Sequence, residues 1–408
     1  MNKKAETDSK YLAKAGAWRF IILVGVVSLF SDMTYEGARS ISGPFLGSLQ
    51  ASALVVGVVA GLGEFIGYSL RLVSGYFTDR LGKYWPITFA GYSLNLFAVP
   101  LLALVGRWEA AAVLLVVERL GKAIRTPARD AMLSHAATSV GRGWGFGFHE
   151  AMDQLGAVSG PLIVAAVLYF RGSYREGFAV LLLPAILAMA VIAAAARLYP
   201  QPQHLEVSAP KLETAGLRRP YWLYVAAAGL VGAGYADFPL IAYHFGKAAV
   251  APVTWIPIFY AVAMAVDAVA ALLLGRLFDR LGMPVILAAV MLAAFFAPLV
   301  FLGGFPLALV GMLLWGIGMG AQESIIKAAL AAMLPRDRRA TGYGIFNAGF
   351  GLFWFLGSAL MGWLYEFSLV WLIAFSVIIQ LLAIPIFLLV SRDLRRLTGQ
   401  ERDQVNHG

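Results

Sequence analysis

The chain has 408 residues, of which 60% are apolar and only 13% charged. That is about half the charge of a soluble domain, and a mean hydropathy of +0.76 points to a membrane-embedded protein. The lack of cysteine excludes disulfides, thiolate metal sites and thiol nucleophiles, and the net charge of +9 follows a membrane topology along the chain rather than forming a nucleic-acid patch.

The N-terminal stretch "MNKKAETDSKYLAKAGAWRF" is polar and basic, without the short apolar core and small-residue cleavage site of a signal peptide. A spanning helix needs about 20 mostly apolar residues. Residues 177–196 and 367–391 meet this with no charge at all, and 281–322 is long enough for two helices turning at "LGGFP". Reading the whole chain this way predicts twelve spans: 18–48, 53–78, 85–106, 108–134, 144–170, 176–198, 219–246, 251–278, 284–303, 306–333, 341–366 and 369–391. The loops that follow odd-numbered spans hold little that is basic beyond Arg107, Arg171, Arg175 and Lys247. The opposite side collects Lys3, Lys4, Arg142, Lys211, Arg218, Arg336, Arg338, Arg392 and many more. By the positive-inside rule both termini lie in the cytoplasm.

The two halves repeat. "SGYFTDRLGKY" at 74–84 recurs as "LGRLFDRLGMP" at 274–284, after the second and the eighth spans. The same offset pairs Tyr35 with Tyr235. Two six-helix halves joined by a polar linker describe parallel repeats about an axis along the membrane normal. The expected organisation is a tail at 1–17, a bundle at 18–198, a linker at 199–218, a second bundle at 219–391 and a tail at 392–408.

The first copy, with Gly75, Asp79, Arg80, Gly82 and Lys83, resembles the loop signature of the major facilitator superfamily. The second copy matches at Gly275, Asp279, Arg280 and Gly282 but carries Met283 where a base is common. The resemblance implies an all-α membrane fold of twelve helices in two pseudo-symmetric bundles, with the first, fourth, seventh and tenth helices lining a central cavity. It also implies a conformational latch: Asp79 would meet the N-terminus of the eleventh helix, near 340–347, where the helix dipole favours a carboxylate, and Asp279 would act likewise more weakly. "GAVSGP", with Gly156, Gly160 and Pro161 in the fifth span, resembles a motif of the drug/proton antiporters. Its plainer reading is close helix packing at small residues.

The stretch "SLFSDMTYEGARS" at 28–40 puts three full charges inside the first span. Each costs roughly 2.5–3.5 kcal/mol at the centre of a lipid-facing helix, so Asp32, Glu36 and Arg39 are expected to face a cavity or one another. Their spacing puts them on one helical face, with Glu36 and Arg39 as a candidate pair and Asp32 the freer carboxylate. A structural charge network or an outer gate is the competing account. Glu64 and Arg71 in the second span, Glu118 in the fourth, His149 and Asp153 one turn apart in the fifth, Asp237 in the seventh and Glu323 in the tenth join the candidate substrate and proton sites, with Tyr35 as an aromatic wall. Lys122, Arg125 and Arg129 read as a basic stripe anchoring the membrane surface, and Glu323 is expected to pair with Lys327 one turn on.

A carboxylic acid in a cavity can take up a proton on one side and release it on the other. These residues therefore suggest a proton-coupled secondary transporter working by alternating access and exporting a small organic compound, cationic ones included. The partners are a small-molecule substrate, protons and the lipid bilayer, not nucleic acid, and the protein is expected to be a monomer in a bacterial cytoplasmic (inner) membrane. An importer or a metal-cation transporter on the same fold is the alternative, with no compact ligand spacing to define a metal site. No nucleotide loop, HExxH or nucleophile elbow is present, so no cofactor is expected and an enzyme is disfavoured.

Overall fold

The computed structural model describes residues 3–200, 219–334 and 339–406. Eleven helices among them are long and apolar enough to cross a membrane. In chain order, with the charged fourth helix included, they are α1 (Gly16–Ser48), α2 (Ala53–Thr78), α3 (Tyr84–Leu104), α4 (Trp108–Val140), α5 (Trp144–Arg171), α6 (Tyr174–Leu198), α7 (Arg219–Lys247), α8 (Trp255–Leu281), α9 (Met283–Leu302), α10 (Phe305–Leu330), α11 (Thr341–Phe367) and α12 (Leu369–Leu394). No strand occurs among the described residues. α4 is the exception because Glu118, Arg119, Lys122, Arg125, Arg129 and Asp130 crowd its middle. Large apolar side chains such as Leu104, Val113, Leu183, Leu272, Val370 and Trp371 are exposed, as a lipid-facing surface requires.

The chain forms two compact units. The first comprises Met1–Phe45, Leu70–Ala209 and Val253–Ala261; the second comprises Leu46–Ser69, Pro210–Pro252 and Val262–Gly408. In the first unit α1 packs directly on α5. A Cβ added to Gly156 would strike the Leu29 carbonyl oxygen, and one added to Gly160 would strike that of Met33. Any side chain at these two positions would push the helices apart. Pro161 follows inside α5, removing one backbone donor from the helix ladder. Elsewhere in this unit Val27, Tyr92, Leu96, Ala185, Ala188 and Ile192 form a core cluster from α1, α3 and α6.

In the second unit α7 is the most enclosed span, with 89% of its most apolar stretch buried against 39% for α1. It is not continuous: one helix ends at Gly234 and another starts at Phe238. The break leaves backbone carbonyls that buried side chains satisfy. Ser376 Oγ donates to the Gly234 oxygen at 2.6 Å, Gln380 Nε2 to the same oxygen at 3.1 Å, and Trp315 Nε1 to the Ala236 oxygen at 2.9 Å.

The two copies of the repeated loop share one backbone feature. Gly82 has φ 59° and Gly282 has φ 70°, a conformation that glycine alone adopts without cost. Both stop their helices with a bond from the glycine N–H to the carbonyl four residues back, on Thr78 and Phe278.

Candidate functional site

α1 runs unbroken through its charged stretch, so Asp32, Tyr35, Glu36 and Arg39 fall on neighbouring turns of one face. All four lie in the first unit. Glu36 is 9% exposed and accepts a 2.6 Å hydrogen bond from the hydroxyl of Tyr260, near the start of α8. Arg39 Nη1 donates to the Tyr35 hydroxyl at 3.1 Å. Asp32 is not the free carboxylate that its spacing suggested: Arg125 Nη2 of α4 lies 3.8 Å from its Oδ1.

The basic residues of α4 also depart from expectation. Arg125 is only 1% exposed and stacks over the Tyr92 ring at 4.3 Å. Lys122 Nζ lies 3.8 Å from the centre of the Tyr35 ring, with the Arg119 guanidinium 4.5 Å from the same point. These side chains turn inward onto α1 and α3. A stripe of cations one turn apart on an otherwise apolar helix reads the same from sequence whether it meets lipid headgroups or buried carboxylates on a neighbour; only the packing decides between them.

Glu118 joins this cluster. Its Oε1 accepts from Asn95 of α3, its Oε2 lies 3.6 Å from Arg119 Nε, and Asn95 Oδ1 accepts from Ser31 of α1 at 3.4 Å. One turn nearer the start of α1 lies a second polar chain. Ser28 Oγ is 2.7 Å from His149 Nε2, and His149 Nδ1 is 3.5 Å from Asp153 Oδ2. Arg129 Nη1 donates to Ser28 Oγ at 3.3 Å, and its Nη2 pairs with Asp130 at 2.8 Å. α1, α4 and α5 are thus cross-linked by polar groups. Ser28 and Asn95 were not singled out in the sequence. Ser28 precedes Asp32 by one turn, which is a usable signal; a lone asparagine in α3 gives none.

The remaining candidates are placed elsewhere. Glu64 and Arg71 are half-buried on α2. In the second unit, Asp237 is buried and caps the helix that restarts after the break, its Oδ1 accepting from the Phe238 N–H at 2.9 Å. Tyr235, Trp315 and Trp354 are buried together, with Tyr235 ring centres 5.4 Å and 5.7 Å from the two indoles; they fill the core around the break. His244 Nδ1 lies 3.0 Å from the Tyr365 hydroxyl. The expected pairing of Glu323 with Lys327 is not made among the described residues: one helix ends at Glu323, the next starts at Ile325, and Glu323 is exposed. In the latch loop Arg80, Lys83, Asp279 and Arg280 are exposed, and the side chain of Asp79 lies outside the described residues. Among the described residues no three His, Asp or Glu side chains gather as a metal site.

Comparison with known proteins agrees with the family that the repeated loop resembles. The family model of the Major Facilitator Superfamily matches residues 22–326 and 238–406. An uncharacterized protein of Mycobacterium tuberculosis is 40% identical over 375 residues, covering 90% of this chain and 92% of that protein. An uncharacterized MFS-type transporter of Methanocaldococcus jannaschii is 33% identical over 157 residues, 38% of this chain and 39% of that protein. Among solved structures, a mutant of the nucleoside transporter NupG superposes with a TM-score of 0.71 at 12% identity, covering 90% of this chain and all (100%) of that one. A bacterial homolog of the human lysosomal transporter Spinster gives 0.70 at 15% identity, covering 92% and 97%. At these identities the likeness is one of fold.

Proposed function

Since the chain belongs to the major facilitator superfamily and is a multi-pass membrane transporter, we propose that it is a proton-coupled secondary transporter, exporting a small organic compound by alternating access. The observation that carries this reading is the Glu36–Tyr260 hydrogen bond of 2.6 Å, on a carboxylate deep within a spanning helix. A carboxylate held by one neutral hydroxyl loses little when it takes a proton, because the protonated acid can donate to the same oxygen. Asp32, tied to Arg125 at 3.8 Å, is the second exchangeable acid. The Ser28–His149–Asp153 chain offers a path for protons between α1 and α5.

Export rests on the antiporter-like glycines of α5, whose close packing on α1 holds the acidic face in place. A bacterial cytoplasmic membrane, with both termini inside, rests on the distribution of Lys and Arg between the loops. The latch at Asp79 and Asp279 belongs to the same reading. The test is proton movement in proteoliposomes. Substrate-dependent alkalinisation or acidification that follows an imposed pH gradient supports coupling, and substrate flux indifferent to the gradient removes it.

A further inference from the structure

We propose that Glu366, in the last turn of α11, is a latch on the outer side: its hydrogen bond to the first turn of α2 holds that side closed, and transport requires the bond to break. This rests on the alternating-access reading above and names a positioning residue for it.

By sequence α2 belongs to the first six-helix half and α11 to the second. Yet α2 is divided between the two compact units, with the boundary after Ser69. Its inner part packs with α4. Ser74 Oγ donates to the Ala123 carbonyl at 2.7 Å, and a Cβ added to Gly75 would meet Pro127 at 3.6 Å. Its outer part packs with α11. A Cβ added to Gly57 would strike the Ser358 carbonyl oxygen, one on Gly61 would meet Ser358 Cβ at 2.8 Å, and one on Gly362 would meet the Ala53 carbonyl oxygen at 2.6 Å. Phe65 stacks on Phe355 with ring centres 6.2 Å apart, and Tyr68 meets Phe350 edge-on at 5.6 Å. This seam runs from Ala53 to Tyr68, about 24 Å of helix, and stops where α2 passes from one unit to the other.

No hydrophobic force holds two helices together in lipid, because lipid tails replace the lost contacts. A polar tie adds what such a seam lacks, and it lies at the outer end. Glu366 Oε1 accepts from the Leu54 N–H at 3.1 Å. Ser52 Oγ accepts from the Val55 N–H at 3.3 Å, but α2 carries no acid in its own first turn. Glu366 supplies the negative charge that the dipole of α2 favours there. On its own helix the same carboxylate is misplaced, since the last turn of α11 is the negative end of that dipole. A residue that breaks the rule of its own helix and satisfies that of a neighbour marks the contact as functional. Glu366 is also exposed, so water can take the place of α2 when the bond breaks. The tie is weak enough to part in each cycle, as a latch requires. Glu366 is then the counterpart, at the outer end of α2, of the latch proposed for Asp79 at its inner end.

The chain has no cysteine, so spin labels can be placed uniquely at Gln50→Cys, just before α2, and at Trp363→Cys on α11, both exposed positions. The distance between them is measured on the purified full chain in lipid nanodiscs without substrate. Glu366→Ala should populate longer distances, raising the open-to-closed ratio roughly two- to thirtyfold, as loss of a side-chain cap implies. Glu366→Gln, whose amide oxygen can accept from the same N–H, should stay close to the unsubstituted protein. A distance distribution unchanged in Glu366→Ala, with or without a lower unfolding temperature, overturns the proposal. So does a shift of equal size in Glu366→Ala and Glu366→Gln. The measurement needs neither substrate nor a proton gradient, so it stands apart from the test of coupling. A distance shift with flux indifferent to the gradient keeps the latch and removes the coupling; coupled flux with unchanged distances does the reverse.

Discussion

Two stretches at equivalent places in the repeat, around Tyr35 in α1 and Tyr235 in α7, are built in opposite ways. α1 is a continuous helix whose polar face meets the cations of α4. α7 is broken at the equivalent place, and its tyrosine is sealed among Phe296, Trp315 and Trp354. Each tyrosine hydroxyl finds a partner, but of a different kind: Tyr35 accepts from Arg39, while Tyr235 donates to the Trp315 carbonyl. One region concentrates charges. The other spends its polar groups closing a backbone gap, which needs fixed geometry. A repeated element thus holds ionisable groups in one copy and packed aromatic ones in the other.

The largest effect should come from removing titratable groups in the first region. Glu36→Gln keeps the shape and an acceptor for Tyr260 but cannot exchange a proton, so gradient-driven transport in proteoliposomes should be abolished while the protein elutes as folded in detergent. Asp32→Asn should do the same and also loosen Arg125. Wild-type uptake by both variants would place the coupling elsewhere and erase the functional half of the contrast.

The face that holds those acids depends on α5. Gly160→Ala would drive a methyl group against the Met33 carbonyl, and overpacking of this kind typically costs about 3 kcal/mol at the upper end. A thermal unfolding temperature in detergent unchanged by this variant would show that α1 and α5 are free to separate.

How much of this was legible in the sequence differs between the two regions for a physical reason. The spans, the repeat and the glycines at Gly82 and Gly282 follow from local rules of hydropathy and backbone conformation, and they could be read from one chain. The charges of α1 were equally visible, because a charge in an apolar run is anomalous wherever it occurs. Their partners were not. That Asp32 meets Arg125 and Glu36 meets Tyr260 depends on which helices touch, and Asn95, Tyr92 and Tyr260 look ordinary in sequence. The break in α7 was missed because Gly234–Asp237 remains apolar enough to read as continuous span. The irregularity at Ser324 in α10, next to Glu323, carries no proline to announce it.

A smaller effect separates the roles of the two regions directly. Trp315→Phe removes the donor to the buried Ala236 carbonyl, and leaving such a group unsatisfied costs about 2 kcal/mol. The variant should melt earlier while substrate binding to the folded protein holds. Tyr35→Phe should behave inversely: melting is little changed, and transport falls severalfold as Arg39 loses the Tyr35 hydroxyl. If both variants lost stability and neither lost transport selectively, the two regions would share one structural role.

The smallest expected effect probes where the halves are alike. At Gly282 an added Cβ meets nothing within 4 Å, so Gly282→Ala introduces no clash and its cost is that of holding a side chain at φ 70°, about 1 kcal/mol. Gly82, at φ 59°, imposes the same demand on its own loop. If the repeated loops are equivalent in backbone, the two alanine variants should lower the unfolding temperature by similar amounts. Their transport rates need not match, because the first copy carries Lys83 where the second has Met283, and only the first has the full basic signature. A stability loss at Gly82 well beyond that at Gly282 would mean that the first loop is held by contacts the second lacks, and the symmetry would then end at the backbone angle itself.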